Sequence, residues 1–331
     1  MLASILLLIL SLALILLSAE LFTNGIEWVG SKLNMTKGAV GSILAAIGTA
    51  LPETIIPILA IFFAQDKQAG DEISTGAILG APLMLSTIAL GVVGISIFVF
   101  HKMGKRVSPV AEIDNEHMRR DLLFFLMAFA VAVSASFLPA MPFRWVAVAF
   151  LAGIYAVYIY QVLQHPGEGV EDMAPLYMSR RKSDDHSMAL ISAQVLIALT
   201  VMILGAKLFV HQVEYLAKEL SFPALILSLI ITPLATELPE KFNSVIWLKA
   251  NKDTLAIGNI TGAMVFQSSV IPIVGILLTD WRFGKVELVS VSLTFLSALF
   301  VLLALGKKDK LPYWVFALGV LFYVAFIIYV I

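Results

Sequence analysis

Long apolar runs, each broken from the next by a short charged or Gly/Pro-containing stretch, recur along the whole chain and leave few folds open. About twenty apolar residues are what a helix needs to cross the hydrocarbon core of a bilayer. The runs fall near 2–29, 38–64, 73–100, 121–139 and 143–163, then near 188–217, 223–250, 254–279, 286–305 and 312–331. With 60% hydrophobic and 14% charged residues, the chain is far from the roughly 25% charge of a soluble domain. The expected fold class is therefore an all-α polytopic membrane protein with ten transmembrane helices. Met1 to Ala19 lacks the positive n-region of a signal peptide, and its apolar character continues through Leu21, Phe22 and Trp28, so it reads as a spanning helix. A net charge of −1 argues against a nucleic-acid partner. The absence of cysteine removes disulfides, thiolate metal sites and cysteine nucleophiles.

The basic residues orient the spans. With the N-terminus outside, fifteen lysines and arginines fall in inner loops: Lys32, Lys37, Lys102, Lys105, Arg106, Arg119, Arg120, Arg180, Arg181, Lys182, Lys249, Lys252, Lys307, Lys308 and Lys310. Five fall outside (Lys67, Arg144, Lys218, Arg282 and Lys285), and Lys207 and Lys241 lie within helices. Both termini should face outward from a multi-pass protein of the cytoplasmic membrane. The polar stretch 164–187, of mixed charge, reads as a solvated cytoplasmic linker between a first five-helix half, 1–163, and a second, 188–331.

Two glutamates interrupt the apolar pattern in matching places, within Thr49-Ala50-Leu51-Pro52-Glu53 and Thr236-Glu237-Leu238-Pro239-Glu240. A carboxylate at membrane depth costs roughly 2.5–3.5 kcal/mol on insertion scales, so a chain that repeats it is marking a site. The spacing of 187 recurs elsewhere: Ala19-Glu20-Leu21-Phe22 matches Ala206-Lys207-Leu208-Phe209, and Ile26-Glu27-Trp28 matches Val213-Glu214-Tyr215. At an offset of 182, Gly76-Ala77-Ile78-Leu79-Gly80 matches Gly258-Asn259-Ile260-Thr261-Gly262. The halves read as duplicates. An odd number of spans per half inverts the second copy, giving two inverted-topology repeats of five with a site near the midplane, the organisation of secondary transporters.

Each motif proline lacks an amide hydrogen, so Pro52 frees the carbonyl of Gly48 and Pro239 that of Ala235. Thr49 and Thr236 precede their glutamates by four residues, on the same helical face. Hydroxyl, carboxylate and carbonyl are all hard oxygen ligands, which suits Ca²⁺, or else Mg²⁺ or Mn²⁺. Glu53 and Glu240 contribute −2, which one divalent ion, two protons or two or more monovalent cations neutralise. The Gly-x-x-x-Gly spacings mark close helix packing that should bring Asn259, Thr261 and Gln267 near the glutamate helices. Asn259 and Gln267 read equally as accessory ligands or as interhelical hydrogen-bond partners. Glu237 and Lys241, at i and i+4 with the acid first, read as an ion pair, with Glu237 as an additional ligand the sharper alternative. Glu20 and Lys207, at equivalent positions of the first and sixth spans, are expected to approach each other. Glu27, Glu214 and His211 read as snorkelling groups at helix ends.

These motifs resemble the alpha repeats of the calcium/cation antiporter superfamily, most of all its sodium/calcium exchanger branch, over nearly the whole chain. That family carries Gly-(Ser/Thr)-Ser-x-Pro-Glu in its second and seventh helices and Gly-Asn-x-x-Gly-Ser-Asn in its third and eighth. Here 46–53 and 233–240 hold the first pattern, and Gly258-Asn259-Ile260-Thr261-Gly262 opens the second. The resemblance implies a central cation site of Thr49, Glu53, Thr236 and Glu240. The family's sodium-site serines become Ala50, Glu237, Ala81 and Ala263, its acidic or amide positions become Leu85 and Gln267, and Pro82 and Met264 replace the asparagines. Backbone carbonyls of Ala46 and Pro233, or the hydroxyls of Ser86 and Ser268, are the groups left to compensate. The implied activity is antiport of a divalent cation, foremost Ca²⁺, against Na⁺, with the first and sixth helices moving. Proton coupling is the alternative within transport, and a divalent cation channel the alternative from another class. No nucleophile and base constellation or zinc motif suggests an enzyme. The expected partners are inorganic cations and the lipid bilayer, with no cofactor and no obligate protein partner.

Overall fold

The computed structural model describes residues 1–33, 50–139, 141–164, 174–179, 186–307 and 309–331, apart from the side chains of Ala235, Leu238, Pro239, Glu240, Phe242 and Asn243. Thr49 and Ala46 lie outside the described residues. The elements in chain order are α1 (Leu2–Lys32), α2 (Leu51–Phe63), α3 (Lys67–Met84), a π-helical turn (Leu85–Ala89) and α4 (Leu90–Lys102). Then come β1 (Val110–Glu112), α5 (Asn115–Ser134) with a 3₁₀ turn (Ala135–Phe137), α6 (Met141–Gln164) and α7 (Met188–Glu219). The remainder is α8 (Ala224–Thr236), α9 (Leu238–Lys249), α10 (Asp253–Leu278), α11 (Lys285–Ala304), β2 (Lys310–Pro312), α12 (Tyr313–Ala317) and α13 (Gly319–Val330).

The protein is an all-helical membrane protein. Among the described residues eight helices are long and apolar enough to cross a bilayer, with α3 and α4 forming one span through the π turn and α12 and α13 another. Two shorter apolar helices, Leu51–Phe63 and Ala224–Leu234, occupy the places of the expected second and seventh spans. The seventh differs from the expected continuous run. It divides at Glu237 into α8 and α9, because Pro239 cannot donate back into α8 and instead takes the first turn of a new helix.

The chain folds as two compact units, and each draws on both halves of the sequence. The first comprises residues 1–70 and 156–222. In it α1 and α7 run antiparallel, with Gly25 against Val195 and Gly205 against Leu14 and Ile15. Small residues let the two backbones approach where lipid offers no hydrophobic drive for association. On this register Glu20 stands opposite residue 200 and Lys207 opposite residue 13, so the two lie about 10 Å apart along the axis at ~1.5 Å per residue. The expected approach of Glu20 and Lys207 is not made. Glu20 accepts a hydrogen bond from the Tyr177 hydroxyl (2.9 Å), and the Lys207 ammonium sits 3.7 Å from the centre of the Phe63 ring.

The linker also departs from expectation. Residues 174–179 are docked on α1 and α7, and Leu176 is fully buried beside Trp28 and Ile191. Nor does Glu214 snorkel: it is 3% exposed and accepts from the amides of Gln65 (3.0 Å) and Asp66 (3.1 Å), capping the start of α3, and from Lys218 (2.8 Å).

The second unit comprises residues 71–155 and 223–331. Here α5 lies along α10, α9 packs on α4 and α10, and α12 packs on α4. Gly76 and Gly80 of α3 face α8 so closely that a Cβ at either would run into the main-chain oxygen of Leu225 or Leu229. The close-packing role expected of this Gly-x-x-x-Gly holds for α3. At Gly258 a Cβ would meet nothing within 4 Å among the described residues.

Three loops gather at one end of this unit. β1 pairs antiparallel with β2, Val110 opposite Pro312 and Glu112 opposite Lys310. Arg106 donates to Asp253 and to the carbonyls of Leu248 (3.0 Å) and Val110 (3.3 Å). At the other end Arg144 donates to the carbonyls of Thr279 (3.3 Å) and Asp280.

Candidate functional site

The two motif copies share a local backbone. Ala50 precedes α2 with φ −85° and ψ 1°, and Glu237 precedes α9 with φ −87° and ψ −6°. In each, the proline falls in the first turn of a fresh helix and the glutamate follows as its third residue. An acidic residue in a first turn faces the positive end of the helix dipole, which stabilises a carboxylate there. Glu53 occupies that place in α2 and is 5% exposed. Glu240 holds the same backbone position in α9.

Thr236, at the end of α8, is buried, and its hydroxyl donates to the Thr232 carbonyl (3.2 Å). With its hydrogen committed, the hydroxyl oxygen keeps lone pairs for a cation. Two further hydroxyls precede it along the same face, and sequence reasoning passed over both. Ser228 lies 3.0 Å from Thr232 and donates to the Ile73 carbonyl of α3 (2.7 Å). Their signal was the i, i+4 spacing of Ser228, Thr232 and Thr236 within an otherwise apolar helix. The Pro233 carbonyl accepts from the Glu237 amide (3.1 Å), so one of its lone pairs is committed within the helix.

Gln267 and Glu237 meet: the Gln267 amide of α10 donates to the Glu237 carboxylate, and the two residues are 3% and 0% exposed. The hydrogen bond described for Glu237 is thus to Gln267; Lys241 is buried in the next turn of α9. Asn259 is half-buried on the same helix as Gln267, eight residues away. Thr261 turns instead to α5, donating to Asp121 (2.7 Å), which also accepts from Arg120 (3.1 Å). Asp121 is buried and escaped notice in the sequence, because its partner lies 140 positions away. The hydroxyls of Ser86 and Ser268 both donate to carbonyls of their own helices, at Leu83 (3.3 Å) and Val265 (3.1 Å). Among the described residues no three His, Cys, Asp or Glu side chains cluster as a metal cage. The oxygen donors on view are instead a hydroxyl, a carboxylate and main chain at helix breaks, groups suited to a hard cation that passes through.

Comparison with known proteins bears on the fold and the family. The chain is 24% identical over 323 residues to the uncharacterized membrane protein MJ0091 of Methanocaldococcus jannaschii, covering 97% of this chain and 94% of that one. Among solved structures it resembles an H+/Ca2+ exchanger, CAX, with a TM-score of 0.78 and 18% identity, covering 98% of this chain and 82% of the other. It also resembles the sodium-calcium exchanger NCX_Mj, with a TM-score of 0.60 and 18% identity over 99% and 98% of the two chains. The family model described as sodium/calcium exchanger protein matches residues 3–164 and 191–331, nearly the whole chain, and the protein belongs to that family.

Proposed function

We propose that this protein is a secondary active antiporter that exchanges a divalent cation, foremost Ca²⁺, for Na⁺ by alternating access. The observation that carries the reading is the matched pair of helix starts after Ala50 and Glu237, each placing Pro and Glu in the first turn of a membrane helix. Glu53 and Glu240, with Thr49 and Thr236, ligate the cation, and their −2 charge matches one divalent ion or two monovalent ones. Competition for that charge is the electrostatic basis of exchange. The near-identical backbone at the two helix starts supports duplication, and the antiparallel register of α1 and α7 suits copies inserted with inverted topology. That arrangement is ten spans in two repeats of five, with both termini outside the cytoplasmic membrane. In this reading α1 and α7 carry the movement.

A second reading, proton coupling, is favoured by one feature. Alanine replaces hydroxyl-bearing residues at Ala50, Ala81 and Ala263, while Glu237 adds a buried carboxylate held by Gln267. The deciding experiment is radiotracer Ca²⁺ uptake into proteoliposomes under an imposed Na⁺ gradient, then under a pH gradient. Uptake driven by the first supports Na⁺ coupling, and uptake driven by the second alone transfers the role to the proton. Equal uptake with neither gradient would mean a channel. Glu53→Gln and Glu240→Gln should each abolish exchange, and normal transport by both variants would remove the site.

A further inference from the structure

The polar stretch between the two halves contributes a built contact to the first unit. Asn24 of α1 uses its whole amide: Nδ2 donates to the carbonyls of Ala174 and Pro175 (both 3.3 Å), and Oδ1 accepts from the amide of Tyr177 (3.2 Å) and from Gln194 Nε2 (2.9 Å). Gln194 of α7 in turn donates to the Leu21 carbonyl (2.9 Å) and accepts from the Met178 amide (2.9 Å). Trp28 Nε1 is a second donor to the Ala174 carbonyl (3.1 Å), and the His186 ring stands edge-on to the Trp28 indole at 4.7 Å. Two buried side-chain amides therefore read the main chain of 174–178 while joining α1 to α7. Asn24 and Gln194 are 4% and 0% exposed, so these bonds do not compete with water.

Elsewhere the α1–α7 contact is made of small and apolar residues: Gly25 on Val195, Gly205 on Leu14 and Ile15, Ala19 and Phe22 with Ala198 and Met202. Contacts of this kind hold the helices by close packing and supply no directional bond. A shift of one residue, about 1.5 Å, is enough to break the paired amides. Directional bonds at one place therefore add to that packing a contact that only one register satisfies.

We propose that residues 174–178 act as a strap that locks α1 and α7 in register, so that the pair moves as one body during cation exchange, with Asn24 and Gln194 as the positioning residues. The proposal rests on the antiporter reading for its functional part, while the strap itself is open to a measurement that needs no transport. Asn24→Leu and Gln194→Leu keep side-chain bulk and remove the bonds. Each should strip hydrogen-exchange protection from the amides of Tyr177 and Met178. Each should also lower exchange turnover by about tenfold or more, since at least three buried hydrogen bonds go with either side chain, with the Ca²⁺ KM unchanged because no cation ligand is touched. Trp28→Phe keeps the ring and loses one bond, and serves if the leucine variants fail to fold; it should deprotect the strap partially and slow turnover by about threefold.

Because the chain has no cysteine, Leu176→Cys with Ile191→Cys introduces the sole thiols, at two fully buried neighbours. Joined by a short bifunctional thiol reagent, this variant should retain the exchange rate of its unjoined form, since the strap travels with the helices. Loss of exchange on joining would overturn the proposal, because it would mean that the strap must leave. So would wild-type turnover in a leucine variant whose strap amides have lost protection. Wild-type protein that takes up no Ca²⁺ under either gradient would sink the antiporter reading instead, and amide protection would still report whether the strap is held.

Discussion

Arg106 and Asp253 form a buried ion pair whose loss should be costly enough to measure. Their side chains are 6% and 1% exposed. Asp253 accepts from both terminal nitrogens of Arg106 and from the Glu112 amide (3.0 Å), while Arg106 also serves the carbonyls of Leu248 and Val110. The pair thus ties the end of α9 and the start of α10 to the β1 strand. Arg106→Ala strands a carboxylate away from water, and Asp253→Ala strands a guanidinium. Breaking a buried pair from one side costs about 3–5 kcal/mol, of which the Coulomb attraction is only part. At roughly 2–4 °C per kcal/mol for a unit of 150–250 residues, each variant should melt about 6–20 °C lower. Arg106→Met with Asp253→Leu removes both charges and leaves three main-chain groups to find new partners, so recovery should be partial. The check is a double-mutant cycle on thermal melting in detergent micelles, built from Arg106→Ala, Asp253→Ala and their combination, with a coupling of about 2 kcal/mol or more expected. Additive losses within ~0.5 kcal/mol would refute the reasoning, since the two charges would then not depend on each other.

Two further outcomes follow from other contacts. Glu237→Gln keeps an acceptor for the Gln267 amide while removing the charge; it should leave the Ca²⁺ KM within about threefold but alter the dependence of flux on the driving gradient, and unchanged gradient dependence would exclude Glu237 from coupling. Asp114 caps α5 through the His117 amide (3.0 Å); its burial alone would raise the carboxyl, but the His117 amide and ring outweigh it and hold the group below its ordinary range. A depressed carboxyl contributes stability above its unfolded pKa of about 3.9 and loses it as pH falls through the folded value, so the advantage of wild type over Asp114→Ala should shrink on acidification below ~pH 4. Melting curves across that range provide the test, and a gap that stays constant would contradict the assignment.

Several spans were legible to within a few residues. The expected 254–279 and 286–305 became Asp253–Leu278 and Lys285–Ala304, because charged breaks bound each apolar run. The proline-glutamate motif was legible as a local disruption, but the division of the seventh span into two helices at Glu237 was not. Asp121 and Arg106 were not, as their partners lie 140 or more positions away and neither spacing nor periodicity encodes such a meeting. The docking of Leu176 was hidden by composition: one leucine and one tyrosine are outweighed by the charges of the surrounding stretch. Burial and the nearby Glu20 carboxylate push the Tyr177 phenol up, so its hydroxyl stays a donor at neutral pH. The π turn at Leu85–Ala89 left no pattern in the sequence.

In the reading proposed above, the break at Glu237 does for a mobile cation what a cage of side chains does for a resident one. Ending α8 at Thr236 releases carbonyls that a continuous helix would bond, and Pro239 ensures that Ala235 cannot recover its partner. Starting α9 at Leu238 sets a glutamate in a first turn, where the helix dipole offsets the cost of its charge. Strong acceptors thereby come from main chain that is already in place, and few ionisable groups need to be buried. In the first copy Ala50, just ahead of α2, has nearly the same angles. The two copies therefore differ less in backbone than in the side chain standing ahead of the helix, a methyl group at Ala50 and a hydrogen-bonded carboxylate at Glu237. Ligand geometry for the divalent ion follows from what the copies share, and the identity of the counter-ion should follow from where they differ.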